Sequence, residues 1–323
     1  MPRSTAVLIE QGVGRGTLRG PRYHRTAKGY HRLADPTDAP VTSTQRILDA
    51  YAAMPAGALI SGWAAAYVHG VDNLDGLDDR TLQPLPVSVV LPPGLRRRDK
   101  DGIRYRQSKR PIRGMIVEDI PVTMRLRTAL DLARAARDLT EAVVPLDAFL
   151  GARLLTVEGL VRASRRLPSR RGIRQAERAV ALAQVGVRST WETRLRMFAA
   201  LELGLLELQV NRAVFDRDGN LLGVPDLLDV GAGLAIEYDG ATWRSAQVKG
   251  HRDREQHRQD NAREERLERA GLIVVRVEKA DLQRHRLRLG ERILEARRDG
   301  LDRDRTRDRW TLDEPEDFFG FPA

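Results

Sequence analysis

The sequence contains no cysteine among its 323 residues. This absence excludes disulfides, thiolate nucleophiles and every cysteine-containing zinc site, so metal ligands are limited to oxygen atoms and histidine. The chain also has no run of eighteen apolar residues, and its first residues lack the charged and apolar pattern of a secretion signal. We therefore expect a protein that neither spans a membrane nor is exported and that acts in the cytoplasm.

Lysine is scarce, because only five of the 55 basic residues are lysines, whereas arginine is abundant. The formal net charge is +10 and the pI is about 10.4. Such a balance favours a polyanionic partner, although a GC-rich genome produces the same bias toward arginine. Because arginine forks onto phosphate better than lysine does, we expect a nucleic acid, and DNA first, as the partner.

The length and the 41% share of apolar residues predict more than one core. We expect a mixed α/β and helical scaffold over residues 41–185, a second α/β domain over residues 186–300, and a charged, flexible tail over residues 301–323. The segment before the scaffold, residues 1–40, has two interpretations. The sequence leaves the oligomeric state open.

Residues 1–40 are interpreted either as a small helix-turn-helix with a two-stranded wing, which is the first interpretation, or as a loosely ordered basic arm, which is the second. An apolar helical start at residues 6–9 is followed by tyrosine and histidine among basic residues. In the first interpretation four arginines reach a phosphate backbone. They are Arg15, Arg19, Arg22 and Arg25.

The scaffold region contains helical patterns and two strand patterns. Residues 87–91 read VSVVL, a buried strand, and residues 103–107 alternate as an exposed strand. The charged stretch Arg96 to Lys100 between them is interpreted as a solvated turn. Thr123 is expected to cap the next helix. No spacing between residues 44 and 185 is typical of a catalytic motif.

The stretch from Val224 to Gly240 reads VPDLLDVGAGLAIEYDG and organises the second domain. It predicts a hairpin in which Asp226, Glu237 and Asp239 converge on one side, with Leu234, Ile236 and Tyr238 on the opposite face of the second strand. Like charges two residues apart on one face repel, so the strand loses stability unless a positive charge lies between them. Carboxylate oxygens suit Mg²⁺, and we expect Mg²⁺ or Mn²⁺ here.

The region from Ser189 predicts the order αβββαβα. We expect helices at 189–204, 250–270 and 280–298 and strands at 206–215, 221–230, 234–239 and 272–277. Ser189-x-x-Glu192 opens the first helix, and two roles of Glu192 stay open. It is either a capping-box residue or a fourth carboxylate of the metal site.

This order, together with Ser189-x-x-Glu192, Pro225-Asp226, Glu237-Tyr238-Asp239-Gly240, Asp260-x-x-Arg263 and Gly271 to Val277, resembles the PD-(D/E)XK nuclease superfamily. More closely it is similar to actinobacterial proteins with a domain like very-short-patch-repair endonucleases. The resemblance covers about residues 187–298. It implies a restriction-endonuclease-like αβββαβ fold in which Glu192, Asp226 and Glu237 gather one or two Mg²⁺ ions, with Arg263, Arg276 and Lys249 as nucleic-acid contacts.

Asp239 stands where that superfamily has a lysine that orients water or neutralises charge, and mismatch repair itself is not implied. The N-terminal half, with Ser61-x-x-Ala64-Ala65-Ala66-x-x-His69-Gly70 and Val122 to Ala133, is similar to AbiEi-type antitoxins, which imply a winged helix and DNA-binding repression. We therefore expect a metal-dependent DNA endonuclease. The alternatives are a repressor or antitoxin, with a cognate toxin as partner and a non-catalytic nuclease-like fold, or an enzyme acting on RNA.

Overall fold

The computed structural model describes residues 1–35, 37, 39–166, 171–240 and 261–315. The chain is mixed α/β, as expected, and it divides into two compact units. The first unit comprises Met1–Arg137 and Ala152–Ala181, and the second comprises Asp138–Gly151 and Leu182–Ala323. In the described residues, no helix combines the length and apolar character needed to cross a bilayer.

The secondary structure is numbered in chain order. The helices are α1 Thr5–Glu10, α2 Arg15–Arg19, α3 Ser43–Ala53, α4 Gly62–Val68, α5 Arg125–Ala135, α6 Leu139–Gly151, α7 Val157–Ser164, α8 Ile173–Leu182, α9 Thr190–Glu202, α10 at 261–269, α11 Lys279–Arg284 and α12 Arg286–Asp302. The strands of the first unit are β1 Arg3–Ser4, β2 Tyr23–Ala27, β3 Tyr30–Leu33, β4 Leu59–Ser61, β5 Val87–Leu91, β6 Ile103–Gln107, β7 Gly114–Val117 and β8 Ile120–Thr123. Those of the second unit are β9 Gln209–Val210, β10 Val214–Asp216, β11 Leu221–Gly223, β12 Leu227–Asp229, β13 Leu234–Asp239, β14 Ile273–Glu278 and β15 Trp310–Thr311.

The first 33 residues form two short helices and a small antiparallel sheet of order β1-β3-β2. Ser4 caps α1 by accepting a hydrogen bond from the Val7 amide. The region therefore has the helices and hairpin of the first interpretation, and its contact with DNA stays a prediction. Arg32 of β3 lies 3.6 Å from Asp49, which ties the hairpin to α3.

The core of the first unit is a five-stranded sheet of order β6-β5-β4-β8-β7, packed against α3 and α4. The predicted strands at 87–91 and 103–107 are confirmed as β5 and β6, which pair in parallel. Val87, Val89 and Leu91 are buried and alternate with half-buried residues, because successive side chains of a strand point to opposite faces. In this order β6 is an edge strand.

The helix predicted after Thr123 begins instead at Arg125, with Met124 as its N-cap residue. Thr123 belongs to β8, and its hydroxyl is hydrogen bonded to the Thr128 hydroxyl at 2.7 Å. The Thr123 side chain is buried, and its hydroxyl forms its hydrogen bond within the core and does not cap the helix.

The second unit is built on a four-stranded sheet of order β14-β13-β12-β9. The predicted hairpin is confirmed: β12 and β13 pair antiparallel, with Leu227 opposite Ile236 and Asp229 opposite Leu234. Gly233 in the turn has φ +62°, a left-handed conformation that glycine adopts without steric cost. On one face Leu234 and Ile236 join the core formed with α9, α11 and α12.

The strand expected at 221–230 is two strands that belong to different sheets. β11 pairs with β10 in the sheet β11-β10-β15, whereas β12 pairs with β13. Pro225 lies between them, and because proline has no amide hydrogen to donate, it interrupts a ladder. The strand expected at 206–215 is likewise divided into β9 and β10.

Three further boundaries differ from the sequence-based expectation. The helix α6 precedes residue 186 but packs on α9 and belongs to the second unit. Residues 310 and 311 of the expected flexible tail form β15, which pairs with β10. The helix expected at 280–298 is two helices that meet at His285, and residues 241–260 of the expected charged helix lie outside the described part of the chain.

Candidate functional site

Asp226 and Glu237 meet at the open end of the β12–β13 hairpin. The register that places Leu227 opposite Ile236 places Asp226 and Glu237 one step beyond it on facing strands. A carboxylate oxygen of Asp226 (Oδ2) accepts a hydrogen bond from the Tyr238 amide at 2.7 Å. The backbone of β13 therefore fixes the side chain of Asp226 beside Glu237.

Glu237 is only 6% exposed, although it is an acid in a strand. Its Oε2 atom accepts a hydrogen bond from Nη2 of Arg263 at 2.9 Å. Its Oε1 atom is buried and has no hydrogen-bond partner in the described part of the structure. A buried carboxylate oxygen without a donor is costly, and such an atom is a candidate ligand for a cation.

Glu192 is the third carboxylate near this point, and it is 7% exposed. The predicted cap is present, since the Ser189 hydroxyl accepts from the Glu192 amide at 3.1 Å. Glu192 Oε2 accepts from the Arg188 amide and from the Asn211 side-chain amide, both at 2.9 Å. In a capping box the Glu192 side chain would accept from the amide of Ser189, whereas here it accepts from the amide of the residue before it, Arg188. Through Asn211 it also anchors the segment that leads into β10.

The three carboxylates are coupled electrostatically through Asp226. Burial, followed by the charges of Glu192 and Glu237, raises the pKa of Asp226 to about 7, against the hydrogen bond from Tyr238 and the charge of Arg263. Burial also raises the pKa of Glu237, and Arg263 opposes this shift. The hairpin end is therefore a buried, electronegative point.

Asp239 lies on the same face of β13 as Glu237, at the strand end and opposite Glu278 of β14. Within the ranges that the structure describes, no three acidic or histidine side chains are grouped closely enough to hold a metal ion. The expectation that Glu192 and Asp239 join Asp226 and Glu237 in one metal site therefore stays a prediction. Lys249 lies outside the described residues.

The two arginines predicted to contact nucleic acid are both engaged with carboxylates of their own unit. Arg263 pairs with Glu237, and its aliphatic part lies against Gly223, where an added Cβ would come within 3.2 Å. Arg276 is paired with Glu264 and donates to the Asn261 side chain at 3.0 Å. Because Glu237 stands opposite Arg276 in register, these ion pairs surround the candidate site.

An aromatic stack beside the carboxylates escaped the sequence interpretation. Trp191 and Tyr238, the neighbours of Glu192 and Glu237, stack with ring centroids 5.7 Å apart and an interplanar angle of 6°. Arg194 lies 4.6 Å and Lys279 lies 5.3 Å from the Trp191 centroid. The stack fastens α9 to β13 and so holds two of the acidic residues in place. Trp191 directly precedes Glu192, and Tyr238 directly follows Glu237. These positions next to acidic residues are the sequence signal by which the stack could have been found.

The arginines predicted for the first unit, Arg15, Arg19, Arg22 and Arg25, are all exposed. The first three form no ion pair with any described residue, and Arg25 donates to the Ala27 carbonyl at 3.4 Å. Their accessibility meets the requirement for phosphate contact, which stays a prediction.

The chain matches no protein-family model and no curated protein. Among solved structures it is similar to a crystal structure of the RV2827C protein from Mycobacterium tuberculosis, with a TM-score of 0.37 and 16% sequence identity. That similarity covers 60% of this chain and 75% of the other. A likeness at this level carries no functional argument.

Proposed function

We propose that the second unit hydrolyses phosphodiester bonds of DNA with the help of Mg²⁺ or Mn²⁺, held by Asp226 and Glu237. The observation that carries this proposal is the buried Oε1 atom of Glu237, which has no hydrogen-bond partner among the described residues, beside an Asp226 whose pKa is raised to about 7. A cation bound between Asp226 and Glu237 would relieve the repulsion between the two carboxylates. The resemblance to PD-(D/E)XK nucleases supports the same pair.

The chemistry of the donor set fits a hard divalent ion. One oxygen of Asp226 accepts a hydrogen bond from the Tyr238 amide, and one oxygen of Glu237 accepts a hydrogen bond from Arg263. These two bonds fix the positions of the carboxylates. Glu192 and Asp239 are proposed as additional ligands that complete the set. A bound divalent ion supplies an activated water and neutralises charge at the scissile phosphate.

The residues of the chain itself control the proton balance of the site. With a pKa of about 7, Asp226 is divided between its protonated and ionised forms at neutral pH. Only the ionised form binds a cation, so binding releases a proton and the affinity rises with pH. The ion pair with Arg263 opposes the rise in the pKa of Glu237 that burial causes.

A second candidate is a DNA-binding repressor or antitoxin whose nuclease-like unit has no catalytic activity. Two observations favour it: Asp239 replaces the superfamily lysine, and Arg263 already supplies a positive charge to Glu237. In this case the first unit alone would hold DNA, and a cognate toxin would be a protein partner.

The deciding experiment incubates the full chain with plasmid DNA, single-stranded DNA and RNA, with Mg²⁺, Mn²⁺ or EDTA. We expect DNA cleavage that requires a divalent ion and that is abolished by Asp226→Asn and by Glu237→Gln. Asp218→Asn is the matched control, because Asp218 is an exposed acid of the same unit. Duplex binding without cleavage in every metal would support the repressor, and cleavage of RNA alone would replace DNA as the substrate.

A further inference from the structure

A dense run of positive charge lies in the first unit, between residues 96 and 113. This stretch holds nine arginines and lysines and only two acids. All nine basic side chains are exposed. We call them the β6 basic surface. They are Arg96, Arg97, Arg98, Lys100, Arg104, Arg106, Lys109, Arg110 and Arg113.

The edge strand β6 gives this surface a fixed direction. Ile103 is buried and Tyr105 packs against the core, whereas Arg104 and Arg106 alternate with them and are exposed. Since alternate residues of a strand share a face, both arginines project from the face opposite the core. The turn before β6 and the loop after it place further basic residues at the two ends of the strand.

The loop before β6 is held in place by its own hydrogen bonds. Arg97 donates to the Ala53 carbonyl at 3.2 Å, and Arg96 donates to the Gln107 side chain at 3.3 Å. The Tyr105 amide donates to Asp99 at 2.8 Å. The basic residues of the turn are therefore presented by an organised loop, which reduces the entropy cost of binding.

The N-terminal hairpin adjoins this surface. The amide of Lys28, in the β2–β3 turn, donates to the Asp101 carboxylate at 3.3 Å. Residues 1–35 carry seven arginines and lysines against two acids. The hydrogen bond joins two basic segments that are 73 residues apart in sequence.

Seven members of the surface have no side-chain partner among the residues that the structure describes. Within the described ranges, no ion pair or side-chain hydrogen bond engages them. These residues are Arg98, Lys100, Arg104, Arg106, Lys109, Arg110 and Arg113. Close like charges without counter-charges raise the energy of the free protein, and phosphates relieve that repulsion.

The surface suits a duplex better than a single strand. Binding of single strands relies on exposed aromatic rings on which bases stack. The only aromatic residue in the stretch is Tyr105, which packs against the core under the Arg97 guanidinium, 6.0 Å from its ring. Contacts from arginine without stacking are typical of a duplex phosphate backbone.

We infer that the β6 basic surface, continuous with the β2–β3 turn, binds the phosphate backbone of duplex DNA. This surface lies in the first unit and binds without a metal ion, so the inference goes beyond the proposed hydrolysis. Charged residues on an edge strand such as β6 also discourage pairing with the sheets of other molecules. The experiment below separates this role of the charges from the binding of DNA.

The experiment measures binding of the full chain to a duplex of about 30 base pairs, long enough to span several phosphate contacts, in EDTA across a range of NaCl concentrations. The test variant is Arg104→Gln/Arg106→Gln/Arg110→Gln. The control is Arg162→Gln/Arg174→Gln/Arg178→Gln, which removes the same charge from exposed positions on α7 and α8. A third variant, Arg104→Lys/Arg106→Lys/Arg110→Lys, keeps the charge.

We expect the affinity of the test variant to fall about tenfold or more at about 0.1 M salt, and its salt slope to fall by about 0.9 for each phosphate that it no longer neutralises. The control and the lysine variant should stay within about threefold of wild type, and all melting temperatures should agree. Equal decreases in test and control variants, or no duplex binding by wild type, would overturn the inference. Preferred binding to duplex RNA or to phosphatidylserine vesicles, abolished in the test variant alone, would also overturn it.

Discussion

The second unit and the β6 basic surface of the first unit use arginine in opposite ways. The first unit holds 30 of the 55 basic residues and 15 of the 45 acids, a net charge of +15, so the second unit has 25 and 30 and a net charge of −5. In the second unit arginines pair with carboxylates, including Arg196 with buried Asp147 and Arg263 with Glu237. On the β6 basic surface they do not. The overall charge of +10 therefore conceals a basic unit and an acidic one.

This difference assigns the attraction of a polyanion to the first unit and the binding of a catalytic cation to the second. Nonspecific attraction of a polyanion requires exposed positive charge, which the first unit supplies. Binding of a divalent cation requires oxygen ligands held close together, and the second unit offers the carboxylates of Asp226 and Glu237. A repressor would need only the first of these features, and a metal-dependent nuclease would need both.

The largest expected effect concerns the paired arginines. Asp147 is fully buried and accepts from Arg196 at 2.7 Å, from Thr193 at 3.0 Å and from the Gln184 amide at 2.8 Å. Arg196→Met leaves this carboxylate without its counter-charge and should lower the free energy of unfolding in urea by about 3–5 kcal/mol.

Two controls accompany that measurement. Adding Asp147→Asn to Arg196→Met removes the buried charge and should recover most of the stability. Arg104→Gln, from the β6 basic surface, should change stability by less than about 0.5 kcal/mol. A large decrease in Arg104→Gln would show that arginines of the first unit are structural as well.

The next effect is a pH dependence. An acid whose pKa is higher in the folded than in the unfolded state lowers stability as the pH rises from its unfolded value, about 3.9, to its folded value. For Asp226 the folded value is about 7. In EDTA, Asp226→Asn should therefore be more stable than wild type at about pH 8 by about 1–3 kcal/mol, and this gain should vanish near about pH 4.

Chemical denaturation at several pH values measures this gain. Asp218→Asn removes an exposed acid of the same unit and should show no such trend. A pH-independent difference between Asp226→Asn and wild type would mean that Asp226 titrates normally and that the carboxylates are not coupled.

The smallest effect on stability is expected at Glu192. Glutamine keeps the acceptor that the Arg188 amide and the Asn211 side chain use, so Glu192→Gln should alter the melting temperature by only a degree or two. The same change removes a charge beside Asp226 and should reduce metal-dependent cleavage at least about tenfold. Full activity would show that Glu192 is a structural residue only.

The hairpin was predictable because its pattern is local. Alternation of Leu234, Ala235, Ile236 and Glu237 predicts two faces, and the glycine-rich turn predicts the register. The same holds for β5 and β6, whose period of two is explicit in the sequence.

What the sequence did not reveal depends on tertiary contacts. The partner of Glu237 is Arg263, 26 residues away, which sequence reasoning assigned to phosphate. The stretch Arg96 to Lys100 was interpreted as a solvated turn, since a local pattern does not show that it adjoins the β2–β3 turn. Likewise, α6 joins the second unit through its packing on α9, which no boundary signal in the chain announces.

Calorimetric titration of Mn²⁺ into the full chain tests most directly whether Asp226 and Glu237 bind a cation. It is carried out at about pH 6.0 and about pH 7.5, below and above the pKa of Asp226, with no nucleic acid present. We expect saturable binding by wild type and by Asp218→Asn, weaker at the lower pH because Asp226 must release a proton. Asp226→Asn and Glu237→Gln should show no saturable binding. Binding of equal affinity in wild type and in both of these variants would contradict the assignment of Asp226 and Glu237 as the cation site.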